Sequence, residues 1–94
     1  MKYTVFYHQD VKQKDLPSIP ENLKQRIRKA IEERLMSDPE NYGTPLRKGL
    51  HGYRKLRVGD YRVIYSIRKS SAMIKIFKIG HRKEVYANAY RRVI

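Results

Sequence analysis

Between Gly52 and Arg82 the chain reads as two strands and a return strand. A turn pair, Gly59-Asp60, separates two runs rich in aromatic and β-branched residues, Tyr53 to Val58 and Tyr61 to Tyr65, which is the local signature of a hairpin. Side chains alternate along a strand, so Lys55 and Arg57 share one face while Leu56 and Val58 share the other. In the second strand Val63, Tyr65 and Ile67 form one row, and Arg62 stands with Ile64 on the opposite side. A strand needs no arginine there to fold. Arg68 to Ala72 reads as a polar turn, and Met73 to Ile79 as the last strand.

Upstream, Lys2 to Tyr7 is a β-rich hexamer and predicts a first strand. His8 to Leu16 is polar and predicts a turn or two of helix before Pro17. Ser18-Ile19-Pro20-Glu21 matches a capping box, and Leu23, Ile27, Ala30, Ile31 and Leu35 then recur at helical spacing up to a stop at Asp38-Pro39. Lys24, Arg26, Arg28, Lys29 and Arg34 fall on the outward face of that helix, where charge needs no function. Asp38 to Gly52 is rich in turn formers and reads as a loop, and Glu84 to Arg91 as a short final helix. The order predicts one α+β domain over 1–94: an N-terminal strand, a helical hairpin, then a three-strand antiparallel meander in one sheet with helices packed on one face.

Charge changes this picture most. The chain of 94 residues carries 22 Lys and Arg against 9 Asp and Glu, a formal net charge of +13. Residues 1–43 hold eight basic and seven acidic residues, whereas 44–94 hold fourteen and two. The positive field belongs to the strand half, which points to a polyanion: nucleic acid or an acidic protein. Zero cysteines exclude disulfides and thiolate chemistry and suit a reducing cytoplasm. His8, His51 and His81 match no metal-ligand spacing, no phosphate-cradling glycine loop is present, and no apolar run reaches a membrane span. Neither metal nor cofactor is expected.

What remains is a cationic set with polar aromatics: Lys55, Arg57, Arg62, His81, Arg82 and Tyr86. RNA carries its own nucleophile, the 2′-hydroxyl, so such a set could cleave RNA by orienting that group, taking its proton, stabilising the phosphorane and protonating the leaving oxygen. Arginine suits the phosphate, since its forked donors match two oxygens. Tyrosine, lysine or histidine can move the protons. Tyr61 and Tyr65 read as packing residues, and Lys55 and Arg57 read equally well as a plain exposed strand face.

Leu56-Arg57-Val58-Gly59-Asp60-Tyr61-Arg62-Val63-Ile64-Tyr65 and Gly80-His81-Arg82-Lys83-Glu84-Val85-Tyr86 resemble the RelE/ParE superfamily of bacterial toxins, on its RelE-like branch. The resemblance spans nearly the whole chain and implies the RelE-like microbial ribonuclease fold. For function it implies the toxin of a type II toxin-antitoxin system, an endoribonuclease that cleaves mRNA in the ribosomal A site by 2′-hydroxyl attack. On this carry-over the catalytic set is Lys55, Arg62, His81, Arg82 and Tyr86. Arg62 would hold the phosphate, Arg82 would assist the charge or leaving group, and Tyr86 or Lys55 would act on the 2′-hydroxyl. Arg54, Lys55, Arg57, Lys78 and Lys83 would bind RNA. The implied partners are an acidic RelB-like antitoxin in a hetero-oligomer, the ribosome, mRNA and rRNA, with no membrane. Two other readings share the fold: a ParE-like toxin that binds DNA gyrase without cutting RNA, and an inactive module whose basic surface serves only its antitoxin.

Overall fold

The structure, a computed structural model, describes residues 2–93. Five strands form one sheet in the order β1-β5-β4-β3-β2. They are β1 (Thr4–Tyr7), β2 (Thr44–Pro45), β3 (Arg54–Val58), β4 (Tyr61–Arg68) and β5 (Met73–His81). The expected meander β3-β4-β5 is antiparallel throughout, and β1 closes it by running parallel to β5. The added strand is β2, which pairs Thr44 with Lys55 and Pro45 with Arg54. Two residues with a proline leave no period-2 pattern, so the sequence shows only a loop there. The same stretch also holds a one-turn helix, α2 (Pro39–Tyr42), with proline at its start.

The hairpin turn is of type II′, with Gly59 at φ +60° and Asp60 outside the positive-φ region. In such a two-residue hairpin the pair flanking the turn is hydrogen-bonded and the next pair is not. The backbone N–H and C=O of Arg57 therefore point away from β4, toward the β2 side. β2 stops at the level of Arg54 and Lys55 and never reaches them.

Helix α1 (Glu21–Ala30) continues through a wider turn over Ile31–Leu35, where the Met36 N–H donates to the Ile31 carbonyl at 3.1 Å, five residues back. Its apolar stripe behaves as the spacing predicts: Ile27, Ile31 and Leu35 are buried against Leu56, Val63, Tyr65, Ile74 and Ile76 of the sheet. Each such side chain contributes about 1.5–3 kcal/mol. The capping box does not form. The Ser18 hydroxyl instead donates to the Asp15 carbonyl at 2.8 Å, closing the preceding turn, and Pro20 caps α1 through its carbonyl, which accepts from Leu23 and Lys24. The first arm of the helical hairpin is two short turns, Val11–Asp15 and Leu16–Ser18.

The last helix, α3 (Val85–Val93), lies on the other side of the sheet. There Val85 and Ala89 join Leu50, Ile64 and Phe77 in a second, smaller apolar cluster, so helices pack against both faces of the sheet and not only the one face that the element order predicts. The register of β4 against β5 shifts between Ile64 and Tyr65, with Phe77 as the extra residue of a bulge. That residue stacks on Tyr53 at 4.7 Å and meets the edge of His8 at 5.4 Å. No helix among the described residues is long and apolar enough to cross a membrane.

Candidate functional site

Cross-strand partners point to the same face, so the pairings Lys55–Ile64, Arg57–Arg62 and Arg62–Gly80 place Lys55, Arg57 and Arg62 in one patch on the α3 side. Arg57 and Arg62 are directly opposite each other. Like charges in that position cost about 0.2–1 kcal/mol, a sum that folding gives no reason to accept. The Arg62 guanidinium is tethered through Nη1 to the carbonyls of Gly59 and Tyr61, both at 3.0 Å, and its other nitrogens are left for an outside acceptor.

Helix α3 brings Tyr86 to this patch: the Lys55 ammonium stands over its ring, 5.6 Å from the centroid. Gly80 lets the helix come this close. A Cβ there would lie 3.2 Å from Val85 Cγ2, at the first residue of α3. Arg82 follows β5, its backbone N–H donating to Asp60 at 2.8 Å and its Nε 3.8 Å from the Asp60 carboxylate. Its side chain is 54% exposed, more open than the apolar strand beside it suggests. Arg62 and Arg82 thus rise from the same end of the sheet, beside the β3–β4 turn.

Other residues expected in the site are placed differently. His81 pairs with Tyr61 and meets its ring edge-on at 5.8 Å, in the row opposite to Arg62. Its Nδ1 accepts the Lys83 N–H at 3.2 Å, which leaves Nε2 as the free nitrogen; the Lys83 side chain is exposed. Arg54 alternates away from Lys55 to the α1 side and donates to the Gly43 carbonyl at 2.8 Å, a bond that pins the chain between α2 and β2. Its RNA-binding role is withdrawn on that geometry. Lys78 is withdrawn for a similar reason: its ammonium lies 2.8 Å from Asp15 and its side chain is only 11% exposed.

Asp15 is the residue that sequence reasoning missed. It is the one buried charged residue recorded among those described, and it accepts from Lys78 Nζ, from Arg92 Nη1 at 2.9 Å and Nη2 at 3.1 Å, and from the Ile79 N–H at 3.0 Å. Burial alone would raise its carboxyl, but the Arg92, Lys78 and Ile79 hydrogen bonds together outweigh it and hold the group below the usual carboxylate range. Arg92 also donates to the Phe77 carbonyl at 2.9 Å, so this cluster binds the last turn of α3 to the β5 bulge. Nothing in the local pattern around Asp15 marks it, because its partners lie more than sixty residues away.

Among the described residues no group of three or more His, Cys, Asp or Glu could hold a metal ion. A cation patch of Lys55, Arg57 and Arg62, edged by a tyrosine and laid across a small α+β sheet, has the chemistry to hold an anion. A family model describing the ParE toxin of the type II toxin-antitoxin system parDE matches residues 5–86, and the chain belongs to this family of toxins. It is 33% identical over 73 residues to Toxin RelE of Mycobacterium tuberculosis, covering 78% of this chain and 75% of that protein. It is also 32% identical over 76 residues to Toxin RelE3 of Methanocaldococcus jannaschii, covering 78% and 84%. Among solved structures it resembles the toxin-antitoxin complex RelBE2 of M. tuberculosis, with a TM-score of 0.82 and 28% identity over 87% of this chain and 93% of that one. The archaeal RelE-RelB complex of Pyrococcus horikoshii matches with a TM-score of 0.62 and 31% identity, over 87% and 97%. Within the family this chain is a RelE-like toxin.

Proposed function

We propose that this toxin is a ribosome-dependent endoribonuclease that cleaves mRNA in the A site through the substrate's own 2′-hydroxyl. The observation that supports it most is the patch of Lys55, Arg57 and Arg62 beside Tyr86, with two arginines facing each other and no carboxylate between them. In the reaction Tyr86 or Lys55 takes the 2′-hydroxyl proton, the oxygen attacks the phosphorus in line, and Arg62 carries the charge that grows on the non-bridging oxygens. The P–O5′ bond then breaks and the leaving oxygen takes a proton, with Arg82 beside it. The products are a 2′,3′-cyclic phosphate and a 5′-hydroxyl.

Acting on translating ribosomes, the protein works in the cytoplasm, where the basic patch meets mRNA and rRNA. The relatives solved with RelB support an acidic antitoxin that covers the same charge and forms a toxin-antitoxin hetero-oligomer. End-group analysis of RNA from a translating extract tests the reading: cyclic-phosphate ends should appear with the parent chain and vanish with Arg82→Ala. Intact mRNA together with inhibited DNA supercoiling would move the case to gyrase binding.

A further inference from the structure

On the opposite side of β3 from the reacting patch lies a cleft of about 570 Å³ between α1 with its continuation and the end of β3. Its helical wall is the stripe Arg26, Lys29, Ala30, Glu33 and Arg34, and its strand wall is Arg57, Val58 and Gly59. Helical periodicity alone assigns those cations to a solvated face; the fold turns them toward Arg57. Glu33 lies 3.8 Å from Lys29, and among the described residues Arg26, Arg34 and Arg57 have no carboxylate partner. Gly59 makes room for one of them, since the Arg26 Nη1 sits 3.3 Å from where a side chain there would begin.

We propose that this cleft is a second phosphodiester-binding stretch, taking the RNA backbone as it passes from the reacting nucleotide over the open edge of β3. The inference rests on the ribonuclease reading above and extends its footprint. Arg57 links the two sites, because its side chain belongs to the row of Lys55 and Arg62 while its residue also lines the cleft. Its outward N–H adds a donor beyond the reach of β2, which starts opposite Lys55. Guanidinium forks match phosphate oxygens. A peptide strand added at this edge would need sockets for alternate side chains, and the only apolar lining is Ala30 and Val58. The chemistry therefore favours a phosphate backbone over an acidic peptide.

Binding of labelled 2′-O-methyl oligonucleotides, which lack the nucleophile and stay intact, tests this by fluorescence anisotropy. A 12-mer should bind the parent chain more tightly than a 3-mer. Arg26→Gln with Arg34→Gln should weaken the 12-mer about tenfold near physiological salt and make its log K against log salt slope shallower by about 1.4, the value for two lost single-strand phosphate contacts. An unchanged slope overturns the proposal. So does an equal loss from Lys14→Gln with Arg91→Gln, an exposed pair outside the cleft, or a decaglutamate peptide that needs Arg26 and Arg34 while RNA does not. Cleavage in translating extracts is scored apart, so its absence counts against the enzymatic reading and a flat salt response against the cleft.

Discussion

Two edges of the same sheet are left open by outer strands too short to cover them, and the chain treats them in opposite ways. β1 stops at Tyr7, and beyond it the edge of β5 is closed by Asp15, whose carboxylate takes the Ile79 N–H and, with Asp10 at 3.6 Å from Arg92, balances Lys78 and Arg92. β2 begins only at Thr44, opposite Lys55, and past that level the edge of β3 faces a mainly cationic cleft: Arg57 on the strand and Arg26 and Arg34 across from it have no carboxylate partner among the described residues, while Glu33 pairs with Lys29. A buried cation that serves the fold comes with its carboxylate. Cations grouped without one wait for an anion from outside. Net charge cannot tell these two sets apart, yet one is architecture and the other is the surface we propose for RNA.

The largest effect should come from unbalancing the closed edge. Asp15→Asn leaves Lys78 facing a neutral amide and Arg92 with only the Asp10 carboxylate, 3.6 Å from its Nε, and should cost about 3–5 kcal/mol in urea unfolding. The same carboxylate sets an acid limb: its folded-state pKa is lowered, so its stabilisation is complete above the unfolded value of about 3.9 and is lost as pH falls through the folded one. The parent should therefore lose stability below about pH 4, and the part of that loss owed to Asp15 should be missing from the asparagine variant. A stability profile that does not depend on residue 15 would break the contrast between the edges.

On the open side the cost should fall on activity. Arg62→Ala removes the group assigned to the phosphorane and should lower single-turnover cleavage about 10²–10³-fold, while unfolding moves by less than about 1.5 kcal/mol because only two backbone acceptors lose a donor. The smallest effect has the opposite sign. Arg57→Thr relieves the like-charge pair with Arg62 and should raise stability by about 0.2–1 kcal/mol while weakening RNA binding. A destabilised threonine variant would mean that Arg57 serves the fold after all.

Much of this was legible because it is local. The Gly59-Asp60 hairpin, the α1 stripe and the Lys55, Arg57 and Arg62 row follow from periods of 2 and 3.6 and one turn pair. Strand β2 was not legible, since its place is fixed by Arg54 and by the Tyr65 hydroxyl, which donates to the Pro39 carbonyl at 2.6 Å across the fold. Lys78 and Arg54 looked like surface cations because sequence shows a charge but not the distant carboxylate or carbonyl that takes it. His81 follows the alternation of β5, which extends two residues past Ile79, where the sequence reading ends it. The resemblance to toxins named the residues of the site, but the bonds that hold Arg54, Lys78 and His81 away from it came only with the fold.

The buried carboxylate also bears on the order in which the molecule is assembled. Asp15 meets Lys78 and Arg92 at sequence separations of 63 and 77, so a chain emerging from its own ribosome carries that acid without these partners through most of synthesis. Contacts this far apart close slowly, after the local turns and helices have formed. Helix α3 carries both Arg92 and Tyr86, so the nascent toxin gains its buried ion pair and the tyrosine beside Lys55 in the same late event.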